Sequence, residues 1–471
     1  MKIFNTLSRE KEELIPINGR QVGMYTCGPT VYNFAHIGNL RTYVFEDTLR
    51  RALIYNNFEL KHVMNITDVG HLTSDADEGE DKMLKGAERE HKTVWQIAEA
   101  YTKAFMDDCA KLNIQQPDII CKATDHIPEM IELIKRIEKN GLTYISEGNV
   151  YFDITKFPDY GELTGQNITE LQAGARIEVD KNKRNPHDFV LWFTNSKFKN
   201  QDMQWDSPWG RGFPGWHIEC SAMSIKYLGE QFEIHCGGID HIPVHHTNEI
   251  AQSEGATGKK SWVKYWMHGE FLVLKKKRMA KSSGNFITMQ TLIEKGYDPL
   301  VYRYLCFTAH YRSPLKFSWE TLDNAKASFV SLKKKVIELK NNPSEVKGDE
   351  SRVALYQSQF LDAINDDLNL PVALALMWTM LKDNELGAKE KLELMAEFDQ
   401  VFGFMVDDWK EETLELTEDI KELVRQREEA RKGKDFNESD RIRDELKAKG
   451  IILEDTPQGV RWKKLIISGL C

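Results

Sequence analysis

The sequence predicts an α/β fold built on a parallel sheet and followed by a helical region. Two strands near the amino end, and the helix between them, carry the first half of that statement. Residues 20–27 (Arg-Gln-Val-Gly-Met-Tyr-Thr-Cys) hold a short, partly apolar run that reads as a strand, and a glycine-proline turn follows. Residues 43–55 then place Val44, Leu49 and Leu53 at helical spacing, and residues 61–68 (Lys-His-Val-Met-Asn-Ile-Thr-Asp) read as a second strand. Strand, helix, strand at this spacing is a βαβ unit, whose two strands are parallel. Beyond about Ser318 the pattern is helical.

Further along, residues 94–112 and 126–140 read as helices. Between Tyr144 and about Ser207 the texture changes to short strands, turns and polar residues, which marks an insertion. Residues 213–255 return to strand-and-helix patterning and are suited to complete the sheet. Residues 341–350 (Asn-Asn-Pro-Ser-Glu through Gly-Asp-Glu) are the best linker or loop candidate. Helices continue to about Val406, and a small C-terminal module follows.

At 471 residues the chain is too long for one ordinary core, so a large domain with satellites is expected. A hydrophobic share of 41% and a charged share of 29% suit a soluble globular protein. No apolar run reaches the roughly 18–20 residues of a membrane helix. The N-terminus turns polar by Arg9, Glu10 and Lys11, so no signal peptide is expected. Seven scattered cysteines, an odd count, argue against a disulfide framework and for a reducing cytoplasm. The net charge of −10 argues against broad nucleic-acid binding, but a mean hides patches. Two basic runs occur at 275–278 and 333–335, and residues 421–471 carry thirteen Lys and Arg against ten Asp and Glu, a mildly basic end on an acidic chain. A solvated helical surface explains any one of these runs equally well.

Three clusters carry chemistry. The first is residues 29–39 (Pro-Thr-Val-Tyr-Asn-Phe-Ala-His-Ile-Gly-Asn), between the first strand and the first helix. In a parallel sheet this is the crevice at the strands' carboxyl ends, and a helix amino end there attracts phosphate. His36 is a donor for phosphate oxygens, and Gly38 lets a nucleotide pack against bare backbone. A lone loop histidine is as readily structural. The second cluster, residues 276–285 (Lys-Lys-Arg-Met-Ala-Lys-Ser-Ser-Gly-Asn), reads as a glycine-ended loop carrying cations, suited to the negative charge of a phosphoryl-transfer transition state. Its bland alternative is solvated surface. The third cluster is metal-like. Cys27 ends the first strand, Cys220 lies in residues 215–223, and His245 and Glu249 lie in residues 245–251, which read as a helix. An i, i+4 pair shares a helix face, and two sulfurs, an imidazole nitrogen and a carboxylate suit tetrahedral zinc. No Cys-x-x-Cys is present, and His217, His235, Cys236, His241, His246 and His268 crowd the same region, so spacing alone leaves ligand identity open and buried free thiols as the alternative.

Taken together, these residues resemble the cysteinyl-tRNA synthetases, a family of class I aminoacyl-tRNA synthetases, from end to end. The matching stretches are 24–32 (Met-Tyr-Thr-Cys-Gly-Pro-Thr-Val-Tyr), 65–68, 171–176, 185–192, 214–223, 248–253, 265–268 and 454–459, in that order. The resemblance implies a Rossmann-like parallel-sheet catalytic domain with an inserted connective domain, then α-helical domains and a small C-terminal anticodon-binding module. The implied division is 1–120 and 207–270 for the two catalytic halves, the second with the zinc site, and 121–206 for the insertion. Residues 271–320 form the stem-contact region, 321–410 the helical bundle and 411–471 the anticodon module. The expected reaction joins L-cysteine to AMP using ATP, then passes it to the 3′-terminal adenosine of tRNA(Cys). The partners implied are ATP, L-cysteine and tRNA(Cys), with no membrane; a cytoplasmic monomer is expected.

By the same resemblance, Cys27, Cys220, His245 and Glu249 match the ligands of one Zn2+ per chain. His36, Gly38 and Asn39 match the HIGH signature and Arg278, Lys281 and Ser282 match KMSKS, as ATP-contacting residues, with His36, Asn39 and Lys281 as the catalytic set. Gly28, Thr67, Trp216, His235 and Asp240 match positions near the bound cysteine. Mg2+ is expected to travel with ATP. Two motifs depart from the pattern: Asn39 replaces the second histidine of HIGH, and in KMSKS Arg278 replaces the first lysine, keeping a charge, while Ala280 replaces the first serine and loses its hydroxyl. Asparagine still donates a hydrogen bond but cannot become cationic. Two rivals share these motifs: a cysteine ligase of mycothiol biosynthesis with an amino-sugar acceptor, and a catalytically silent RNA-binding paralogue. In the C-terminal module Arg425, Arg427, Arg431, Lys432, Lys434, Arg441 and Arg443 are candidate phosphate contacts, and Trp462 is either a base-stacking ring or core. Residues 75–81 (Asp-Ala-Asp-Glu-Gly-Glu-Asp) imitate a calcium loop, but the glycine falls one position early and the distal Glu is misplaced, so they read as a solvated acidic loop.

Overall fold

The computed structural model describes residues 1–70, 82–165, 182–195, 203–274, 277–278, 286–342, 350–411, 418–449, 451–456 and 459–464. The acidic stretch 75–81, the matching stretch 171–176, residues 343–349 of the expected linker, and Lys281 and Ser282 lie outside them; of Arg278 only the backbone is described. The chain divides into two compact units, 1–407 and 408–471.

In the first unit, five strands form the central sheet: β1 (Gln21–Thr26), β2 (Glu59–Ile66), β3 (Ile119–Lys122), β4 (Phe232–Gly238) and β5 (Val263–Gly269). Their order is β5-β4-β1-β2-β3, and every neighbouring pair is parallel. The chain winds outward from β1 through β2 and β3, then returns to the other side of β1 for β4 and β5. The connections therefore diverge between β1 and β4, where a crevice opens at the carboxyl ends of the strands. Helix α1 (Ile37–Tyr55) leaves β1 there. Helices α2 (Ile218–Leu228) and α3 (Thr247–Thr257) flank β4 in sequence. The helices expected at 94–112 and 126–140 are Val94–Lys111 and Ile127–Lys139.

Helix α1 starts six residues before the Tyr43 that periodicity indicates, and the cause is its cap. His36 Nδ1 accepts from the Asn39 backbone N–H at 3.0 Å, and Asn39 Oδ1 accepts from the His36 N–H at 3.3 Å. This is a reciprocal capping box made without the usual serine or threonine.

The insertion between β3 and α2 holds a four-stranded antiparallel sheet, Thr143–Ser146, Asn149–Phe152, Phe189–Phe193 and Phe213–Pro214. Its Val150, Phe152, Leu191 and Trp192 pack in one core with Tyr25, Val63, Met223 and Trp266 of the central sheet layers. After β5, a short parallel pairing joins Leu272–Leu274 to Leu315–Phe317, and four long helices follow: Trp319–Asn341, Glu350–Asn365, Leu370–Lys382 and Ala388–Phe402.

A buried charge cluster ties α1 to the helix Pro299–Phe307, which carries Arg303, and to the end of Ala388–Phe402. Asp47 Oδ2 accepts from Arg51 Nε at 2.8 Å and from Arg303 Nη2 at 2.5 Å, while Oδ1 accepts from the Gln115 N–H at 2.8 Å. Arg303 also donates to the carbonyls of Phe402 and Leu112. Burial opposes the Asp47 charge, but Arg303 and Arg51 hold its carboxyl below the usual range. Asp47→Ala would leave two buried guanidiniums without their carboxylate, so a loss of about 3–5 kcal/mol is expected. Chemical denaturation measures it; a loss below about 1 kcal/mol would show that the cluster contributes little.

The second unit consists of helices Glu418–Lys432 and Phe436–Ala448 and an antiparallel hairpin of Ile451–Thr456 with Gly459–Lys464. Val424, Ile442, Leu446, Ile451 and Leu453 form its small core. Arg427 is buried at 4% exposure, so the expectation that it is a phosphate contact is corrected: it is not on the surface. Arg425 and Arg441 are exposed but pair with neighbouring glutamates one turn away. The ring of Trp462 lies outside the described residues.

Candidate active site and metal centre

Three elements of the crevice each deliver part of the metal-like cluster. Cys27 follows β1 directly. Cys220 sits in the first turn of α2. His245 falls in a single π-helical turn, Ile242–His246, that runs straight into α3, so the expected single helix over 245–251 is in fact a junction of two helix types. His245 and Glu249 still face one another across that junction, with Nε2 and Oε1 3.0 Å apart.

One ligand atom from each of Cys27, Cys220, His245 and Glu249 lies within 4.8 Å of the other three. All four residues are buried. The two sulfurs are 4.0 Å apart. Burial pushes the Cys27 thiol up, whereas the hydrogen bond with Cys27 pulls the Cys220 thiol down to about 7. Burial works against the Glu249 carboxylate, but His235 and His245 pull it down to about 2. Glu249 Oε2 is held by His235 Nε2 at 2.9 Å, and Oε1 is a buried oxygen with no hydrogen-bond partner of proper geometry. A carboxylate held ionised in a dry interior, one of whose oxygens faces the His245 imidazole, beside two thiols, fits a bound zinc ion. His245 is oriented from behind by His217, Nδ1 to Nδ1 at 2.8 Å, as ligand histidines usually are.

A second set, Cys27 with His235, His246 and Glu249, meets the same distance criterion. Its other contacts separate the two. His235 is committed to Glu249, and His246 Nδ1 lies 2.8 Å from His268 Nε2, which is linked in turn to Thr6. The two sets also differ in access. A cleft of about 380 Å³ is lined by Cys27, Cys220 and His245, but not by His235 or His246. The first set presents three of its four residues to the cleft, the second only Cys27.

That cleft collects most of the residues singled out from sequence. Gly28, His36, Asn39, Thr67, Trp216 and Asp240 all line it. Gly28 is there for a steric reason: a Cβ at this position would sit 1.6 Å from the Asn65 carbonyl oxygen, so only glycine allows β1 and β2 to approach at their ends. Its N–H donates to Asn65 Oδ1 at 2.9 Å, and Asn65 Nδ2 donates to Thr67 Oγ1 at 3.0 Å. Thr67 in turn donates to buried Glu219 at 3.1 Å. Because His36 Nδ1 accepts the cap hydrogen bond, its ring proton belongs on Nε2, which makes that atom a donor. The oxygen of Asn39 is spent in the cap, so the amide nitrogen is the end left to donate.

His235 sits beside the metal-like cluster. It is fully buried behind the cleft lining, with Nε2 2.9 Å from Glu249 Oε2. Gly38 is likewise not part of the lining. Conversely, Tyr32, Tyr43, Tyr101 and Phe105 form an aromatic wall of the cleft that periodicity does not single out. Tyr101 and Phe105 lie on the helix Val94–Lys111, whose apolar stripe gives no hint that part of it faces a ligand space.

A parallel sheet with this crevice, a helix cap at the first strand's exit and a buried set able to hold a metal beside it accord with the expected class I aminoacyl-tRNA synthetase. Comparison agrees: residues 13–327 match the family model for the class I (C) tRNA synthetase catalytic domain, and residues 413–462 match that for the cysteinyl-tRNA ligase anticodon binding domain. The cysteine–tRNA ligase of Treponema denticola is 52% identical over 493 aligned residues, covering 99% of this chain and 100% of its own. Cysteine–tRNA ligase 1 of Burkholderia lata is 49% identical over 462 residues, covering 98% and 96%. In fold, the chain is similar to a methionyl-tRNA synthetase of Mycobacterium tuberculosis solved with methionyl-adenylate, with a TM-score of 0.56 at 13% identity, over 82% of this chain and 89% of that one. The chain belongs to the cysteinyl-tRNA synthetase family of enzymes. No described helix is long and apolar enough to cross a membrane.

Proposed function

We propose that the chain is a cysteine–tRNA ligase that activates L-cysteine with ATP to cysteinyl-AMP and pyrophosphate, then transfers cysteine to the 3′-terminal adenosine of tRNA(Cys). The observation that carries this reading is a single cleft with Cys27, Cys220 and His245 on its wall and His36 and Asn39 beside them. A thiol-selective group and a phosphate-facing helix cap then lie within reach of one small substrate. No protein nucleophile is required, because the amino-acid carboxylate attacks the α-phosphate itself. The work left to the protein is positioning and charge stabilisation.

Cys27, Cys220, His245 and Glu249 would hold zinc. When bound, zinc supplies a soft Lewis acid that prefers a thiolate to a hydroxyl, which is the distinction between cysteine and serine that pocket size reads poorly. Thr67, Trp216 and Asp240 would orient the amino acid. His36 Nε2 and the Asn39 amide would donate to ATP, Mg2+ would accompany the nucleotide, and Lys281 would meet the charge that develops as pyrophosphate leaves. The test is ATP–pyrophosphate exchange across all amino acids, with zinc content measured in parallel. Exchange with cysteine and about one zinc per chain is the expected result; exchange driven by another amino acid would overturn the reading.

Residues 411–471 would read the anticodon, which is supported by the anticodon-domain match and by the separate core of the second unit. Their deletion is expected to spare cysteine-dependent exchange and to reduce tRNA charging by about a hundredfold or more, as loss of a remote binding surface does. Charging at the intact rate would remove the assignment.

A further inference from the structure

Arg41 lies in α1, little more than one turn after its His36 cap, and is only 4% exposed. All four of its hydrogen bonds among the described residues go to main-chain carbonyls. Nη1 donates to Glu270 at 2.7 Å and Phe271 at 2.6 Å, and Nη2 donates to His310 at 3.2 Å and Ser313 at 2.6 Å. Glu270 and Phe271 lead into the strand Leu272–Leu274, from which the chain passes to residues 275–285 with Arg278, Lys281 and Ser282. On the far side of that stretch, the Ile37 N–H donates to the Ile287 carbonyl at 2.9 Å, and His36 forms an antiparallel bridge with Thr288. The Tyr302 hydroxyl donates to the Ile37 carbonyl at 2.5 Å. The chain just before the basic stretch and the chain just after it are therefore both tied to the opening of α1.

We propose that Arg41 is a positioning residue for the ATP-dependent step, fixing the His36 end of α1 relative to the strand that leads to Lys281. This rests on the reading of His36 and Lys281 as ATP-contacting groups. The side-chain type follows from the task. A planar guanidinium donates in two directions at once, to 270–271 from one nitrogen and to 310–313 from the other, whereas a lysine ammonium is a single point that cannot serve both pairs. A buried cation is costly to desolvate, so mere packing would be served better by an apolar side chain.

The test compares Arg41→Lys, Arg41→Met and Tyr302→Phe with the wild-type enzyme in ATP–pyrophosphate exchange, together with zinc content and thermal melting. Misplacement of reacting groups by about an ångström costs on the order of a hundredfold, so kcat should fall by about that factor in Arg41→Met and by about tenfold in Arg41→Lys. KM for ATP should rise, while KM for cysteine and zinc content stay within about twofold, because neither depends on the basic stretch. Tyr302→Phe should shift kcat and KM for ATP in the same direction by a smaller factor. A folded Arg41→Met enzyme with wild-type exchange would overturn the proposal. So would parallel losses for ATP, cysteine and zinc, which would make Arg41 general scaffold. Where Arg41→Met does not fold, the split between ATP and cysteine in the other two variants decides by the same criteria. A wild-type enzyme without cysteine-dependent exchange would be a failure of the functional reading, seen separately from these outcomes.

Discussion

In a Cys220→Ser enzyme, cysteine should no longer be chosen over serine by more than about a hundredfold, the range that a shape-selective pocket reaches unaided for such small differences. Cys220 supplies one of two sulfurs to the buried set, and its thiol, at about 7, is the more readily ionised of the pair. Oxygen in its place is a harder and weaker ligand for zinc. Metal content should therefore fall below one per chain, and cysteine-dependent exchange should drop by about two orders of magnitude or more, since even changes behind the ligands cost 10–100-fold in affinity or activity. Exchange with cysteine and with serine, each referred to bound zinc, is the measurement. A variant that loses metal yet keeps its preference would show that the thiol is recognised by other groups.

Lys281→Ala is expected to lower kcat for exchange by about a hundredfold to a thousandfold, the usual cost of removing one group aimed at transition-state charge. KM for cysteine should change by less than about twofold, because the metal set and the walls that would orient the amino acid are untouched. Equal losses in kcat and in cysteine affinity would instead assign Lys281 to ground-state binding.

The βαβ start, the short-stranded insertion and the helical region after Ser318 were legible because each announces itself locally, by period or by turn chemistry. The candidate metal set could be named only through the family resemblance: Cys27, Cys220, His245 and Glu249 are spread over more than two hundred positions, and spacing alone could not choose among the surrounding histidines. The two overlapping sets differ in access to the cleft, a tertiary property. The surroundings of His235 were hidden for the same reason. Its strand position is compatible with facing either a ligand or a neighbouring side chain, and Glu249 takes it. The true start of α1 escaped periodicity because its cap is a histidine–asparagine pair. The Asp47–Arg303 cluster and the Arg41 clamp could not be read at all, since their partners lie 256 and more than 200 residues away in the chain. Arginine within an amphipathic helix ordinarily signals solvent, and here it signals buried carbonyls.

Zinc-edge X-ray absorption of the purified enzyme, recorded with and without L-cysteine, addresses the basis of amino-acid choice without relying on turnover. Two sulfur neighbours should be seen on the resident metal of the free enzyme, and three after cysteine is added, while serine leaves the count at two. An unchanged sulfur count with saturating cysteine would contradict recognition of the substrate through its thiol.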